Sequence, residues 1–502
     1  MSRTNYSLIF VMGVCLLLNL LYCPLYNPLV NDTEVFRYMG LAIFKGFVPY
    51  RDFFDHKPPL IFFLNYACIL LGGAWSLWLI NSALSLLASW LLFQRCRSYK
   101  IPYPWLLPLL FNLMLRDKII CLGGNGTREY TAIFFIIFFC ILIGKGRYKE
   151  YWLGLLSGLV FFTQQEQILP LIPFLIYNLL NKEAVPPGLQ IVRMVAGFLT
   201  VLLPILLYFA WVHSLTWFWQ EAFLFNFSWY ITEKKTFINH FSTIKRVLDN
   251  GNYEMPFMIA VTLGVLSLFF RHKKKGLIVA SLAAVALTLA PEFMGGRYNG
   301  LTVPLDFYYY FLPLSAAVCV LLFVIWAFTE NDLLNGKELR LAFAFLLCIS
   351  LVFTMFQHAT HLTRRNEGRV IASPESSYLR QHRPGDYQLY VLMDGDYVYL
   401  YNELRILAPS RWIYQQFWCW YDRWDTDQAI LHSIGADLLR HRTTYILFNV
   451  ESLSWFRNPA SAKWLSSFMN TYYEQVALPG KPDSILWKLK GKPDSGDKTS
   501  LP

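Results

Sequence analysis

Between positions 31 and 60 the chain reads NDTEVFRYMGLAIFKGFVPYRDFFDHKPPL, and this stretch gathers Asp32, Glu34, Asp52, Asp55, His56 and Lys57. In a sequence that is 55% hydrophobic and 15% charged, such a concentration of ionisable groups in one loop marks a candidate site. Pro58-Pro59 suits the first turn of a helix, because proline has no N–H to lose there, and LIFFLNYACIL follows. A helix start offers unpaired N–H groups and the positive end of the dipole, which favour an anion such as phosphate. Lys57 adds a point charge at the same place. Asp32 and Glu34 are carboxylates in a loop close to bilayer depth, where restricted solvation enables general-base work. An anion cradle beside a carboxylate suits transfer of a group from a phosphate-linked donor. The competing reading is a solvated loop with a proline-capped helix.

The elements that must hold this loop follow from composition. A chain of 502 residues with 18% aromatics and a mean hydropathy of +0.36 is not an ordinary soluble protein. Apolar runs of about 15 to 22 residues alternate with short charged loops, the pattern of a mainly α polytopic membrane protein. Spans are expected at 6–26, 75–93, 104–122, 130–143, 151–163, 168–180, 191–212, 255–270, 276–290, 307–328 and 341–356, about eleven transmembrane helices. The segment 58–71 is too short to cross and is read as a re-entrant or surface helix ending at Gly72-Gly73. The N-terminal segment is longer than a signal-peptide core and lacks a small-x-small cleavage site, so it reads as a retained first span. Much of the net charge of +11 sits in the short loops; there Lys and Arg set topology, and nucleic-acid binding need not be invoked. The count places the N-terminus and the RHKKK cluster in the cytoplasm of a multi-pass inner-membrane protein. It places 27–58, GGNGTRE, QQE and GGRYNG on the extracytoplasmic side. The cysteines fall mostly inside apolar runs without paired spacing, as core residues do.

From about residue 360 the apolar runs stop. DYQLYVLMDG alternates as a strand, TDQAILHSIGADLLRHR has helical spacing with Thr426 or Asp425 as cap, TTYILFNV is a strand, ASAKWLSSFMNTYY a helix and DSILWKLK a last strand. That alternation argues a small extracytoplasmic α/β domain at 359–490, behind a transmembrane domain at 1–358 and before a disordered tail at 491–502.

Four pieces together resemble the C-type membrane glycosyltransferases, the broad protein O-mannosyltransferase-like and aminoarabinose-transferase-like family. They are DTEVFRY at 32–38, GFVPYRDFFDHKPPL at 46–60, GNGTREY at 124–130 and YYYFLPLSAA at 308–317. The resemblance spans about residues 1–330 and is strongest in the first 65. It implies a GT-C-like fold and a polyprenyl-phosphate sugar donor, with mannose or a related hexose as the sugar. The sugar would pass with inversion to a hydroxyl of a glycan, lipid or protein on the extracytoplasmic face. Asp32 would be the general base, Glu129 a second acidic residue at the site, and Lys57 a contact to the donor phosphate. Arg297 in GGRYNG is a candidate second phosphate ligand, and Glu34 and His56 are candidate substrate contacts. His56 stands where some relatives have an acid; no metal ligand is assigned, and a divalent metal stays open. Arg128 stands where an acid is expected, and the turn Gln164-Gln165-Glu166 lacks the lysine of similar sequences, which puts donor contacts there in doubt. The rival class is a transporter or flippase of a lipid-linked saccharide, which calls for ionisable residues at mid-span and internal repeats.

Overall fold

The computed structural model describes residues 3–25, 32–117, 124–181, 185–230, 254–294, 311–330, 336–364, 373–392, 395–413, 428–456, 458–479, 481 and 483–491. Helices lie in every stretch expected to cross. The chain begins with α1 (Arg3–Leu20), α2 (Asp32–Phe44), α3 (Leu60–Leu71), α4 (Ala74–Ser98), α5 (Leu106–Leu115), α6 (Thr127–Leu142) and α7 (Lys149–Thr163). It continues with α8 (Ile172–Leu180), α9 (Pro187–Trp211), α10 (Leu215–Trp219), α11 (Glu254–Ser267), α12 (Lys275–Met294), α13 (Leu314–Phe328) and α14 (Lys337–Arg364). Two described helices, α4 and α9, are 25 residues each and apolar enough to cross a bilayer. In α9 only 11% of the most apolar window is buried, with Val192, Leu203, Leu207 and Trp211 all exposed. A soluble core helix would hide that face, so hydrocarbon is its natural neighbour. The expected span at 104–122 is met by a helix of 10 residues, Leu106–Leu115, which stops at the buried Arg116. Ten residues rise about 15 Å, half of a hydrocarbon core.

The helices pack around α13, which is buried on every side. Their connections gather at two ends. At one, Arg95 Nε donates to Cys140 O at 2.8 Å, Tyr99 OH to Ile143 O at 2.9 Å and Arg193 to Arg147 O at 3.2 Å. At the other, Asn125 donates to Thr33 O at 3.2 Å, Thr127 to Gln164 at 2.6 Å and Arg128 to Glu166 at 2.7 Å. Every loop picked out above for its chemistry that is described lies at this second end. α3 turns back at Gly72 and Gly73, both at positive φ, into α4. α2 and α3 touch so closely at Gly40 that a Cβ there would stand 2.7 Å from the backbone carbon of Asn65. Glycine is the residue that permits this approach.

Beyond α14 come α15 (Pro374–His382), β1 (Leu389–Leu392), α16 (Tyr399–Leu404), α17 (Ala429–Arg440), β2 (Tyr445–Phe448), α18 (Pro459–Tyr472), β3 (Tyr473–Gln475) and β4 (Leu486–Leu489). The sheet order is β1-β2-β4-β3, with β1 parallel to β2 and the other pairs antiparallel. Tyr390, Leu392, Ile446 and Phe448 pack on α17 and α18. The opposite residues, Leu389, Val391, Tyr445 and Leu447, share one core with Val35, Met39, Tyr50 and Phe62 of the first loop. Both sheet faces are thus covered, as the uninterrupted apolar strands require. β3 was not anticipated: it follows α18 without a break, and three residues carry no readable alternation. The helix expected to be capped by Thr426 or Asp425 begins at Ala429, with Gln428 left-handed at φ 55° before it; the two expected caps lie outside the described residues. The described cysteines are all free, and most are buried.

Candidate active site

α2 begins at Asp32, with Asp32 and Glu34 in its first turn, where carboxylates complement the helix dipole. Its start is tied down from the GNGTREY motif. Asn125 and Asn65 pair through their amides at 2.9 Å, and Asn125 also holds Thr33 O. Asp32 itself is half-buried, and its charge acts on the buried Asp55. Asp55 accepts Lys57 N–H at 2.7 Å. Burial pushes its carboxyl up to about 7; the Lys57 ammonium and backbone N–H bonds oppose that rise, and Asp32 adds to it. Asp32, Asp55 and Lys57 therefore belong to one neighbourhood, which joins the carboxylate and the cation read from the sequence.

A cavity of about 760 Å³ opens beside this loop. His56, Lys57, Arg128, Gln164, Glu166 and Asn226 are its polar lining residues, and the surface it presents is almost wholly apolar. Phe161, Phe162, Phe198, Leu202, Leu206 and Phe223 make a long apolar wall along α7, α9 and the run after α10. That run continues α10 through π-helical turns at Gln220–Leu224 and Asn226–Tyr230. Asn226 Nδ2 donates to His56 O at 2.8 Å and to Ala222 O at 2.9 Å, so its Oδ1 faces His56 Nδ1 at 2.7 Å. With both amide hydrogens committed, Oδ1 can only accept, and the proton sits on Nδ1. Burial, then the charges of Lys57 and Arg128, hold this imidazole well below its ordinary pKa, so it is neutral. Cationic residues in the lining of an aromatic and aliphatic cavity fit a phosphorylated lipid.

The remaining expected residues stand elsewhere. Glu34 is buried with its carboxylate bonded to Arg37 and to Asn402 of the C-terminal domain, each at 2.6 Å. Burial raises its pKa against the opposing charge of Arg37. Glu129 does not line the cavity: it is fully buried and bonded to Arg116, whose guanidinium also reaches Asn19 at 2.6 Å and Asn81. The carboxylate is used inside the bundle, in a place that a sequence position at a helix start does not disclose. Arg297 and Tyr308 to Tyr310 lie outside the described residues. Arg128 and Gln164-Gln165-Glu166, discounted as departures from the family pattern, line the cavity. Their signal was present as charge and amide groups at the outer ends of two apolar runs. Asn226 opens an Asn-Phe-Ser sequon in an aromatic stretch, which carries no information about a place beside His56. Among the described residues no three His, Cys, Asp or Glu side chains converge on a metal position.

No family model and no curated protein matches this sequence. Solved structures do match its shape. ArnT from Cupriavidus metallidurans, in a crystal structure bound to undecaprenyl phosphate, aligns with a TM-score of 0.56 at 13% identity, over 81% of this chain and 86% of that one. The oligosaccharyltransferase of Archaeoglobus fulgidus, in the apo form, aligns with a TM-score of 0.53 at 12% identity, over 92% of this chain and 72% of that one. The GT-C fold expected from the sequence resemblance is the fold of this chain.

Proposed function

We propose that this chain, built on the GT-C fold, is a polytopic membrane glycosyltransferase with about eleven crossings. It moves a sugar from a polyprenyl-phosphate donor to a hydroxyl acceptor on the extracytoplasmic face. The observation that carries the reading is the cavity, an aromatic and aliphatic pocket whose lining includes Lys57 and Arg128, the latter paired with Glu166. A polyprenyl chain lies along α9, and the phosphate meets the two cations. Asp32 takes the proton from the acceptor hydroxyl as its oxygen attacks the anomeric carbon. The carbon–oxygen bond to phosphate breaks on the opposite face, so configuration inverts. The electron pair leaves on the polyprenyl phosphate, where the growing charge is met by Lys57 and Arg128. His56, neutral and fixed by Asn226, borders the same pocket and is placed to contact the donor. Arg297 is proposed as a further phosphate ligand. The undecaprenyl phosphate in the ArnT crystal structure supports the choice of lipid.

Purified protein in lipid nanodiscs is incubated with a panel of polyprenyl-phosphate sugars and a hydroxyl acceptor, and released polyprenyl phosphate is counted. Release by the wild type and its loss in Asp32→Asn, with donor binding retained, is the expected outcome. Movement of donor across a bilayer without release would replace the transferase with the flippase reading.

A further inference from the structure

Arg411 belongs to the C-terminal domain, yet its bonds are spent on the loop that carries Lys57. Its backbone carbonyl accepts Phe54 N–H at 2.9 Å. Its guanidinium donates to Tyr50 O and to the Glu221 carboxylate, and lies 4.7 Å from the ring centre of Trp217 and 5.0 Å from that of Trp412. Tyr50 is the residue that most needs such a partner. It is fully buried in a left-handed backbone conformation, φ 67°, which a bulky residue keeps only when its surroundings impose it. Its hydroxyl in turn donates to Lys57 O at 2.7 Å. On the other side, Glu221 and Asn226 share the π-helical run after α10, and Asn226 grips His56 next to Lys57. The contacts close into a ring from Arg411 through Glu221, Asn226, His56, Lys57 and Tyr50 back to Arg411.

We propose that Arg411 is a positioning residue through which the C-terminal domain sets where the Lys57 ammonium stands, and thereby sets affinity for a phosphorylated lipid. This rests on reading the cavity as a lipid-phosphate site. Docking of the domain does not require Arg411. Lys45 meets Asp386 at 2.5 Å, Asn402 bonds Glu34, Ala408 N–H donates to Tyr38 OH at 2.9 Å, and the Tyr38 and Tyr401 rings touch. What Arg411 adds is a planar fork shared between the loop and the cavity wall, pressed between two indoles, a geometry that an ammonium does not reproduce.

The test uses the full chain in nanodiscs, titrated with undecaprenyl phosphate and, separately, with undecaprenol, which has the same tail and no phosphate. Wild type is expected to prefer the phosphate. Arg411→Gln is expected to lose about tenfold in phosphate affinity, the scale of one charge-assisted contact, with undecaprenol affinity unchanged. In a Lys57→Gln background the same change is expected to cost nothing more, because its effect runs through Lys57. Arg411→Lys keeps the charge and guards against misfolding; it is expected to show the same selective loss. Unchanged phosphate affinity, an equal loss for both lipids, or a full additional loss on top of Lys57→Gln would each overturn the proposal. A wild type without phosphate preference would instead overturn the reading of the cavity, and this inference with it.

Discussion

Replacing Glu129 separates a reacting acid from a structural one. Its side chain and that of Arg116 are each 1% exposed and bonded to one another, so the pair has little water to fall back on. Glu129→Gln leaves the guanidinium buried and bonded to the neutral oxygens of Asn19 and Asn81. Removing one partner of a buried ion pair costs about 3–5 kcal/mol, because the other charge stays desolvated and uncompensated. Arg116→Met should cost a similar amount by stranding the carboxylate. The double variant removes both buried charges and leaves the amides of Asn19, Asn81 and the new glutamine to pair among themselves, at a cost of about 2 kcal/mol in all. It should therefore stand about 2 kcal/mol below wild type, less destabilised than either single variant. Denaturant unfolding in mixed micelles reads these differences, and the transfer assay runs beside it. If Glu129→Gln unfolds with the wild type while transfer falls more than about a hundredfold, Glu129 is a reacting group and the structural assignment is wrong.

Three further outcomes follow from the same geometry. Asp55 holds its proton up to about 7 against an ordinary value of 3.8, so between these values the native state binds a proton that the unfolded chain has released. Stability should then fall as pH rises through that window and level off above it; Glu221, raised to about 8 by burial against Arg411, adds in the same sense. Asp55→Asn should flatten the slope between pH 5 and 8 in unfolding midpoints, and a slope unchanged by it would refute the assignment. Leu202→Trp fills the apolar wall and should weaken binding of long polyprenyl phosphates more than of short ones, read by titration with lipids of graded length. Gly40→Ala sets a methyl 2.7 Å from backbone that cannot yield; a shift of α2 should lower transfer through Asp32 while lipid-phosphate binding at Lys57 persists, and full activity would show that Asp32 does not depend on the α2–α3 contact.

Most of the helical architecture was legible because apolar period and loop charge are local signals. The same is true of the helix start after Pro58-Pro59 and of the strands at 389–392 and 445–448. What failed to show was long-range. Glu34 and Glu129 share with Asp32 the signature of a carboxylate in a first helical turn. Their partners, Asn402 and Arg116, come from a separate domain and from the end of a preceding helix. Arg128 and Glu166 were discounted for departing from a family pattern, yet they bond each other across two loops and face the cavity. The sequence pattern locates ionisable groups; which of them are consumed by one another is decided by packing.

That consumption decides which charges remain for a ligand. Glu34, Glu129 and Glu221 are each matched to an arginine, at Arg37, Arg116 and Arg411. Lys57 differs: Asp55 accepts its backbone N–H, and burial lifts that carboxyl to about 7 against the opposing ammonium. An ionised Asp55 would satisfy the ammonium internally, and a phosphate would then have to displace it. A protonated Asp55 does not offset the charge of Lys57, which lines the cavity, and the low dielectric of the aromatic wall strengthens the pull of that charge on an anion. Asp55 is buried beside the Lys57 backbone, whereas Asp32 stands half-buried at the helix start. Two aspartates of one loop are thus set apart by their environments and not by their chemistry.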